Sequence, residues 1–434
     1  MRERGLGRKF ARALLFGLFS SGIVMSSPGE ETDPSAAAKL AFLDWNKALL
    51  ETIRSQNSSP GLASRNLAIL HLAVFDALNV IEDRPYAAYA FDEIHTDGIG
   101  GIDLSGTICG AASRCAQILY PTGRPQFVKL RQSQFSTASD KSAFAIAEAF
   151  GRRVADVILK AREKDGASRS ITYIPKKELG KWCRTGPKFR PPELPHWKDV
   201  TPFFLKRSDQ FRPPAPPSLD SVAYAQDWDE VRKLGAKNST LRTDDQTECA
   251  EFWSCFNYTG TPAGHWNDIA RDVIPPKKFS VVELARIYAL LNVAMADSGI
   301  AAWECKYHYL YWRPIQAIPG AGTDGNPKTE AEGGWKSLLE APPHPEYVSG
   351  HSTFTGAGCA VLSAFTGGGK LEFETRSSAF PDGSRRFQSL TECAEDIGRS
   401  RIYGGIHFQT SNAEGLVLGR NVGDFVLGEC LQKK

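Results

Sequence analysis

The sequence predicts an all-α protein built of helical bundles, and three observations predict it. Most long segments repeat apolar residues every three or four positions, the period of a helix with one buried face. The segment from Val281 to Tyr309 is apolar almost all round, as a helix at the centre of a bundle is. No run alternates apolar and polar residues for long enough to build a large sheet. With 434 residues, 42% apolar and 23% charged, the chain has the composition of a folded protein with ample core.

The amino terminus reads differently. Arg2, Arg4, Arg8, Lys9 and Arg12 precede an apolar run of thirteen, Ala13 to Met25, with small residues following. A basic stretch, a short apolar run and a small-residue cut read as a signal peptide over residues 1–26, the alternative being a retained anchor. Spanning a bilayer takes about 20 residues, and no other segment reaches that length or purity. The expectation is an exported protein, secreted or periplasmic, with residues 27–434 forming a single all-α domain. Setting residues 1–26 aside removes five bases and one acid, which takes the formal net charge from +3 to −1. Nucleic-acid binders carry a much larger basic excess, so no nucleic-acid partner is expected.

The elements follow in order. Asn66 to Ile81 and Ala143 to Ala161 keep helical apolar spacing, the second with Lys and Arg on its outer face. Between Ile171 and Pro217 the pattern breaks: ten of the 26 prolines lie there, mixed with Trp182, Trp197, Phe203 and Phe204. So many aromatics predict a long proline-rich loop packed over the surface and shaping the mouth of a pocket. After Val281 to Tyr309 come Gly356 to Phe365 and Ala413 to Leu431. The last carries Gly415, Gly419 and Gly423 at four-residue steps, a bare-backbone face suited to close helix contact. The nine cysteines show no zinc-knuckle spacing and suggest no disulfide pattern; Cys305 and Cys359 read as small buried hydrophobes.

Three short segments carry the chemistry. Lys306 and Arg313 stand seven apart, two helical turns, so both cations are predicted to point one way before Pro314 ends the helix. Ser349-Gly350-His351 opens a helix, with Ser349 as N-cap and free amides forming an oxyanion cradle. Ser400-Arg401 precedes Gly404-Gly405, whose bend brings His407 round towards the planar Arg401 fork. Each alone has a mundane alternative: surface cations, a capped helix, or a salt-bridged arginine beside a core histidine. Together they are the parts for holding a tetrahedral oxyanion.

In that order and spacing the segments resemble the vanadium-dependent haloperoxidase and type 2 phosphatidic acid phosphatase superfamily. Its signature is Lys-x6-Arg-Pro, then Pro-Ser-Gly-His, then Ser-Arg-x5-His. The resemblance extends upstream through Phe252-Trp253 and Ala294-Met295-Ala296-Asp297 to Trp303, covering most of the chain after residue 26. It implies the family's helical-bundle fold and a vanadate cofactor, for which phosphate competes. Lys306, Arg313, Ser349, the Gly350 amide and Arg401 would hold the equatorial oxygens. His407 would be the axial vanadate ligand, or the nucleophile of a phosphatase, and His351 the acid–base residue.

There are departures from the family pattern. Val348 replaces the signature proline. Ser411 stands where the family has an Asp four residues after the last histidine, so the carboxylate that sharpens that imidazole is missing from its usual place. Of the residues after Phe252-Trp253, only Asn257 is offered as a substitute for the Asp that bonds the acid–base histidine. Trp303 and His344 resemble haloperoxidase positions, and His at the latter favours bromide or iodide. The expected reaction is oxidation of halide by hydrogen peroxide to hypohalous acid, which passes to an organic acceptor. The rival readings are an acid phosphatase and a non-catalytic oxyanion binder. A homo-oligomer is left open.

Overall fold

Prolines open the first two helices, where a missing N–H costs nothing: α1 is Pro34–Ser55 and α2 is Pro60–Ile81. They belong to a computed structural model that describes residues 33–91, 102–255, 257–368 and 370–434, so the signal-peptide reading lies outside the described residues. The helices α3 (Leu104–Leu119), α4 (Arg124–Thr137) and α5 (Lys141–Ala161) follow, then α6 (Val222–Leu234), α7 (Asp244–Phe252) and α8 (Thr261–Val273). The long helix α9 runs Val281–Tyr309, and α10 (Pro314–Gly320), α11 (Gly350–Thr366), α12 (Leu390–Tyr403) and α13 (Gln409–Glu429) complete the set. Residues Pro34–Lys434 form one unit.

Ser280 caps α9 in a reciprocal box with Glu283, and the helix is buried along nearly its whole length. It packs against α2, itself packed on α3 and α5, and against α11 and α13. One helix thus joins an amino-terminal and a carboxy-terminal group of helices into a continuous core. Helix α2 is long and apolar enough to cross a membrane, contrary to the sequence expectation that no further segment qualifies. The same apolarity serves burial: 89% of that stretch lies inside the fold. Its Asp76 and Asn79 side chains bond main-chain groups of residues 86–90.

The glycine face predicted on α13 meets α11. A Cβ on Gly419 would lie 2.0 Å from the Thr353 carbonyl oxygen, and one on Gly356 2.2 Å from that of Leu416. The two backbones touch, which fixes their relative height at the end where Ser349 caps α11.

Two differences from the sequence expectation have physical causes. A small antiparallel hairpin exists, β1 (Phe373–Ser377) paired with β2 (Phe380–Phe387), too short to show as a period-two run. And α9 ends at Tyr309, where Leu310 takes the left-handed conformation; Arg313 then sits in extended backbone ahead of Pro314. Lys306 and Arg313 therefore do not share a helix face.

The proline-rich loop is ordered by the core beneath it. Its only helical turn among the described residues is Trp197–Asp199, and Trp182, Trp197 and Phe203 are buried. The buried Asp297 carboxylate of α9 accepts the main-chain N–H groups of Phe203, Phe204 and Leu205 at 2.6, 2.9 and 3.0 Å. Burial raises the Asp297 pKa while those three donors pull it down, so the clamp offsets much of the cost of burying a charge.

Candidate functional site

Five chain segments converge at one point. The last turn of α9 supplies Lys306, the stretch before α10 supplies Arg313, and the loop before α11 supplies His344 to Ser349. The end of α12 supplies Arg401, and the turn before α13 supplies His407. That turn is tight because Gly405 takes φ +73°, and a Cβ there would lie 2.2 Å from the Gly235 carbonyl oxygen. Lys306, Arg313, Ser349 and Arg401 are 0% exposed and His407 is 2% exposed.

A cavity of about 370 Å³ opens over this point. Its floor includes Gly350, His351, Arg401 and His407, with Trp303 and His344 in its wall. The indole of Trp303 and the ring of His344 lie 5.1 Å apart. The proline-rich loop does shape the mouth, through Arg190, Pro191, Pro192 and Glu193. The Trp303 indole and the Tyr307 hydroxyl both donate to the Glu193 carbonyl, at 3.2 and 2.9 Å, holding the loop against α9.

The three cations differ in what their donors do. The Lys306 ammonium donates to the main-chain carbonyls of Pro345, Glu346 and Val348, matching its three protons. Arg313 uses Nε on the His344 carbonyl at 2.9 Å and Nη1 on the Ile406 carbonyl at 2.7 Å, with Nη2 3.1 Å from His344 Nδ1. Arg401 spends only Nη1, on the Trp253 carbonyl at 2.9 Å; its Nε and Nη2 are buried without a partner. An unpaired buried donor costs about 1–3 kcal/mol, more when charged. Burial and mutual repulsion push Arg313 down to about 9, and burial pushes Arg401 down to about 10. Lys306 is driven well below its ordinary value by burial and by Arg313.

The histidines are held neutral for the same reason. Burial, then the neighbouring cations, takes His344, His351 and His407 well below the usual range. His407 donates from Nδ1 to Oε1 of the wholly buried Glu346 at 2.8 Å, so its Nε2 carries the lone pair. Glu346 Oε1 also accepts the Phe408 N–H at 3.0 Å. Burial raises the Glu346 carboxyl, while the Phe408 amide, Lys306 and Arg313 oppose the rise. The Nε2 of His351 is buried with no partner, and the Ser254 carbonyl bonds its ring.

These residues fit a tetrahedral oxyanion. Unpartnered donors of Arg401, the neutral His407, and the amino end of α11 capped by Ser349, whose Oγ accepts the Ser352 N–H at 3.3 Å, meet in one polar floor. Among the described residues no cluster of His, Cys, Asp and Glu suits a metal cation.

Lys306, Arg313, Ser349, Gly350, His351, Arg401, His407, Trp303 and His344 are therefore brought together as the motifs anticipated. Asn257 also lines the cavity, exposed on its wall, but makes no hydrogen bond with His351. The Ser254 carbonyl takes that place because the chain after Trp253 turns its backbone, not a side chain, to the ring. Glu346 and Glu193 were missed. Nothing in local spacing points from His407 to a residue 61 positions away, although an acid beside the Ser-Gly-His motif was a signal available to read.

In sequence and fold the chain is similar to known proteins. The family model described as the VCPO second helical-bundle domain matches residues 286–432. The vanadium chloroperoxidase of Curvularia inaequalis is 25% identical over 396 residues, covering 73% of this chain and 64% of that protein. The chain thus spans under two thirds of that curated relative's length. Among solved structures, the first bacterial vanadium-dependent iodoperoxidase aligns with a TM-score of 0.78 and 27% identity, over 90% of this chain and 96% of that one. A holo-type bacterial vanadium-dependent chloroperoxidase aligns at 0.64 and 19% identity, over 85% and 92%, a likeness of fold.

Proposed function

We propose, for a chain that belongs to the vanadium-dependent haloperoxidase and type 2 phosphatidic acid phosphatase superfamily, a vanadate-dependent peroxidase that oxidises halide with hydrogen peroxide. The observation that carries this reading is the buried, partly unpartnered cation set around the free Nε2 of His407. Three buried cations stand against the buried Glu346 carboxylate, with Glu193 at the cavity mouth also acting on Arg313, so cations still outnumber carboxylates and an anion is called for. When bound there, vanadate would activate hydrogen peroxide for two-electron oxidation of halide.

The residues divide the work by position. Arg401 offers its planar fork to two oxygens, and Ser349 with the Gly350 amide offers donors from the start of α11. Arg313 contributes charge and the N–H groups not used on His344 and Ile406. His407 would hold vanadate through its neutral Nε2. His351, neutral and unpartnered at Nε2, takes or gives the proton that moves during turnover. Lys306 shapes the loop and adds positive charge behind the anion. We propose bromide or iodide as the halide: support comes from the Trp303–His344 pair in the cavity wall and the likeness to an iodoperoxidase. The hypohalous acid formed would pass to an organic acceptor.

A second reading, hydrolysis of phosphate esters, is favoured by one observation. The Glu346 contact leaves His407 poised as a nucleophile. The deciding assay loads purified protein with vanadate and measures peroxide-dependent bromination and iodination, then measures phosphate-ester hydrolysis without vanadate. Halogenation is expected. Its absence at every vanadate concentration, with esterase activity present, moves the assignment to phosphatase; vanadate binding with neither activity makes the chain a non-catalytic oxyanion binder. Export through residues 1–26 belongs to the same proposal, and sequencing the amino terminus of protein recovered from the medium or periplasm tests it.

A further inference from the structure

We infer that Glu346 is the positioning carboxylate of this site. It takes over, from the loop before α11, the place that an aspartate four residues after the last histidine holds in the resembled family. The inference rests on His407 being the group that meets the anion. Three observations carry it. Glu346 is 0% exposed, and its Oε1 accepts both the His407 Nδ1–H at 2.8 Å and the Phe408 N–H at 3.0 Å, fixing the ring and the backbone that follows it. The residue in the usual position, Ser411, stands close enough to influence the same carboxylate. Ser411 is also tied to the motif loop, its carbonyl accepting the Ser349 N–H at 3.1 Å. One small volume therefore holds a carboxylate reached from the other side. A carboxylate from a distant part of the sequence thus holds the His407 Nδ1.

A rival role would be simple counter-charge for Lys306 and Arg313. The two roles predict opposite signs. Removing a counter-charge leaves the floor more positive and tightens every anion. Removing the positioning carboxylate frees the ring, so the ligand bonded through Nε2 is lost more than one held by charge alone. Vanadate, which accepts a nitrogen ligand, and inorganic phosphate, which does not at equilibrium, separate these cases.

The test uses Glu346→Gln, Glu346→Ala and the double variant Glu346→Ala/Ser411→Asp, each checked for native circular dichroism. Equilibrium affinities for orthovanadate and inorganic phosphate are measured, together with the His407 tautomer by nitrogen-15 NMR without vanadate. Outer-shell partners of ligating histidines are worth about 10–100-fold in affinity. Glu346→Ala is expected to lose vanadate affinity by that range while phosphate affinity holds or rises, and the His407 tautomer becomes mixed. The double variant should recover most of the vanadate affinity and the single tautomer. Should Glu346→Ala fail to fold, Glu346→Gln keeps the volume and an acceptor but not the charge, and a several-fold loss confined to vanadate is expected. Equal tightening of both anions in either single variant overturns the inference, as does a folded double variant that recovers nothing. If the wild type binds no vanadate, the proposed function fails while the tautomer measurement still decides the role of Glu346.

Discussion

Gly419→Ala tests whether the contact between α11 and α13 positions the site. In an ordinary exposed helix, alanine replacing glycine stabilises by about 1 kcal/mol. Here the added Cβ would lie 2.0 Å from the Thr353 carbonyl oxygen and 2.9 Å from the Ala357 nitrogen. Both are backbone atoms, so no side-chain rotation relieves them. Restoring ordinary contact near 3.4 Å requires α11 and α13 to separate by about 1.4 Å. Overpacking on this scale costs about 1–3 kcal/mol, occasionally more, which reverses the sign expected from propensity. The same shift stretches the 3.1 Å Ser349 N–H to Ser411 bond at the site end of the pair, and a misplacement of about 1 Å can cost 100-fold in function. Gly428, later in α13 with nothing within 4 Å of its Cβ position, is the internal control, and Gly428→Ala should be neutral or stabilising. Urea denaturation and vanadate titration of both variants make the assay. A Gly419→Ala protein as stable as wild type, with unchanged vanadate affinity, would refute the claim that backbone contact sets the site.

Other outcomes follow from the same geometry. His407→Ala should abolish vanadate binding, whereas His351→Ala should keep binding and lose turnover; equal affinity in wild type and the His407 variant contradicts the axial assignment. Arg401→Lys, which loses the fork, should weaken vanadate by about 10-fold or more, at about 1.5–3 kcal/mol per charge-assisted bond. Its stability should change little, because Nε and Nη2 bond nothing in the protein; an equal loss of stability and affinity counts against a ligand role. Burial holds His71 and His265 neutral down to about 3, against an unfolded value near 6.5. Their folded pKa values being depressed, that stability is complete above pH 6.5 and lost as pH falls, at up to about 1.4 kcal/mol per pH unit for each. Urea unfolding at pH 7 and pH 5 should show the decline, and His71→Gln should flatten it; an unchanged slope shows that His71 does not carry it.

What the sequence disclosed depended on how local the cause was. The body of helix α9, Val281–Tyr309, was legible because one run of apolar residues decides it alone, but its end was read four residues too far, at Pro314 rather than at the left-handed Leu310. The glycine face of α13 was legible because it is periodic. The meeting of Lys306 with Arg313 was foreseen for the wrong reason: the left-handed Leu310 and the extended residue before Pro314 bring the second cation in, rather than a shared helix face. The partner of Glu346 was illegible, although the acid beside the motif could be seen, because the Gly404-Gly405 turn folds His407 against a loop 61 residues upstream. Helix α3 and the small hairpin were missed for another reason. Leu104–Leu119 mixes Gly, Ser, Thr and Cys with apolar residues, so tertiary packing decides it more than propensity does.

The lysine whose three protons rest on Pro345, Glu346 and Val348 implies a threshold for entry. An oxygen from solvent gains that ammonium only by displacing a carbonyl, a bond worth about 1 kcal/mol net. A multiply charged tetrahedral anion meeting several cations at once repays that exchange through charge-assisted bonds. A monovalent anion, with a single charge, repays less of it. The arrangement therefore sets a threshold by charge: the seat favours a multiply charged tetrahedral anion over a monovalent one.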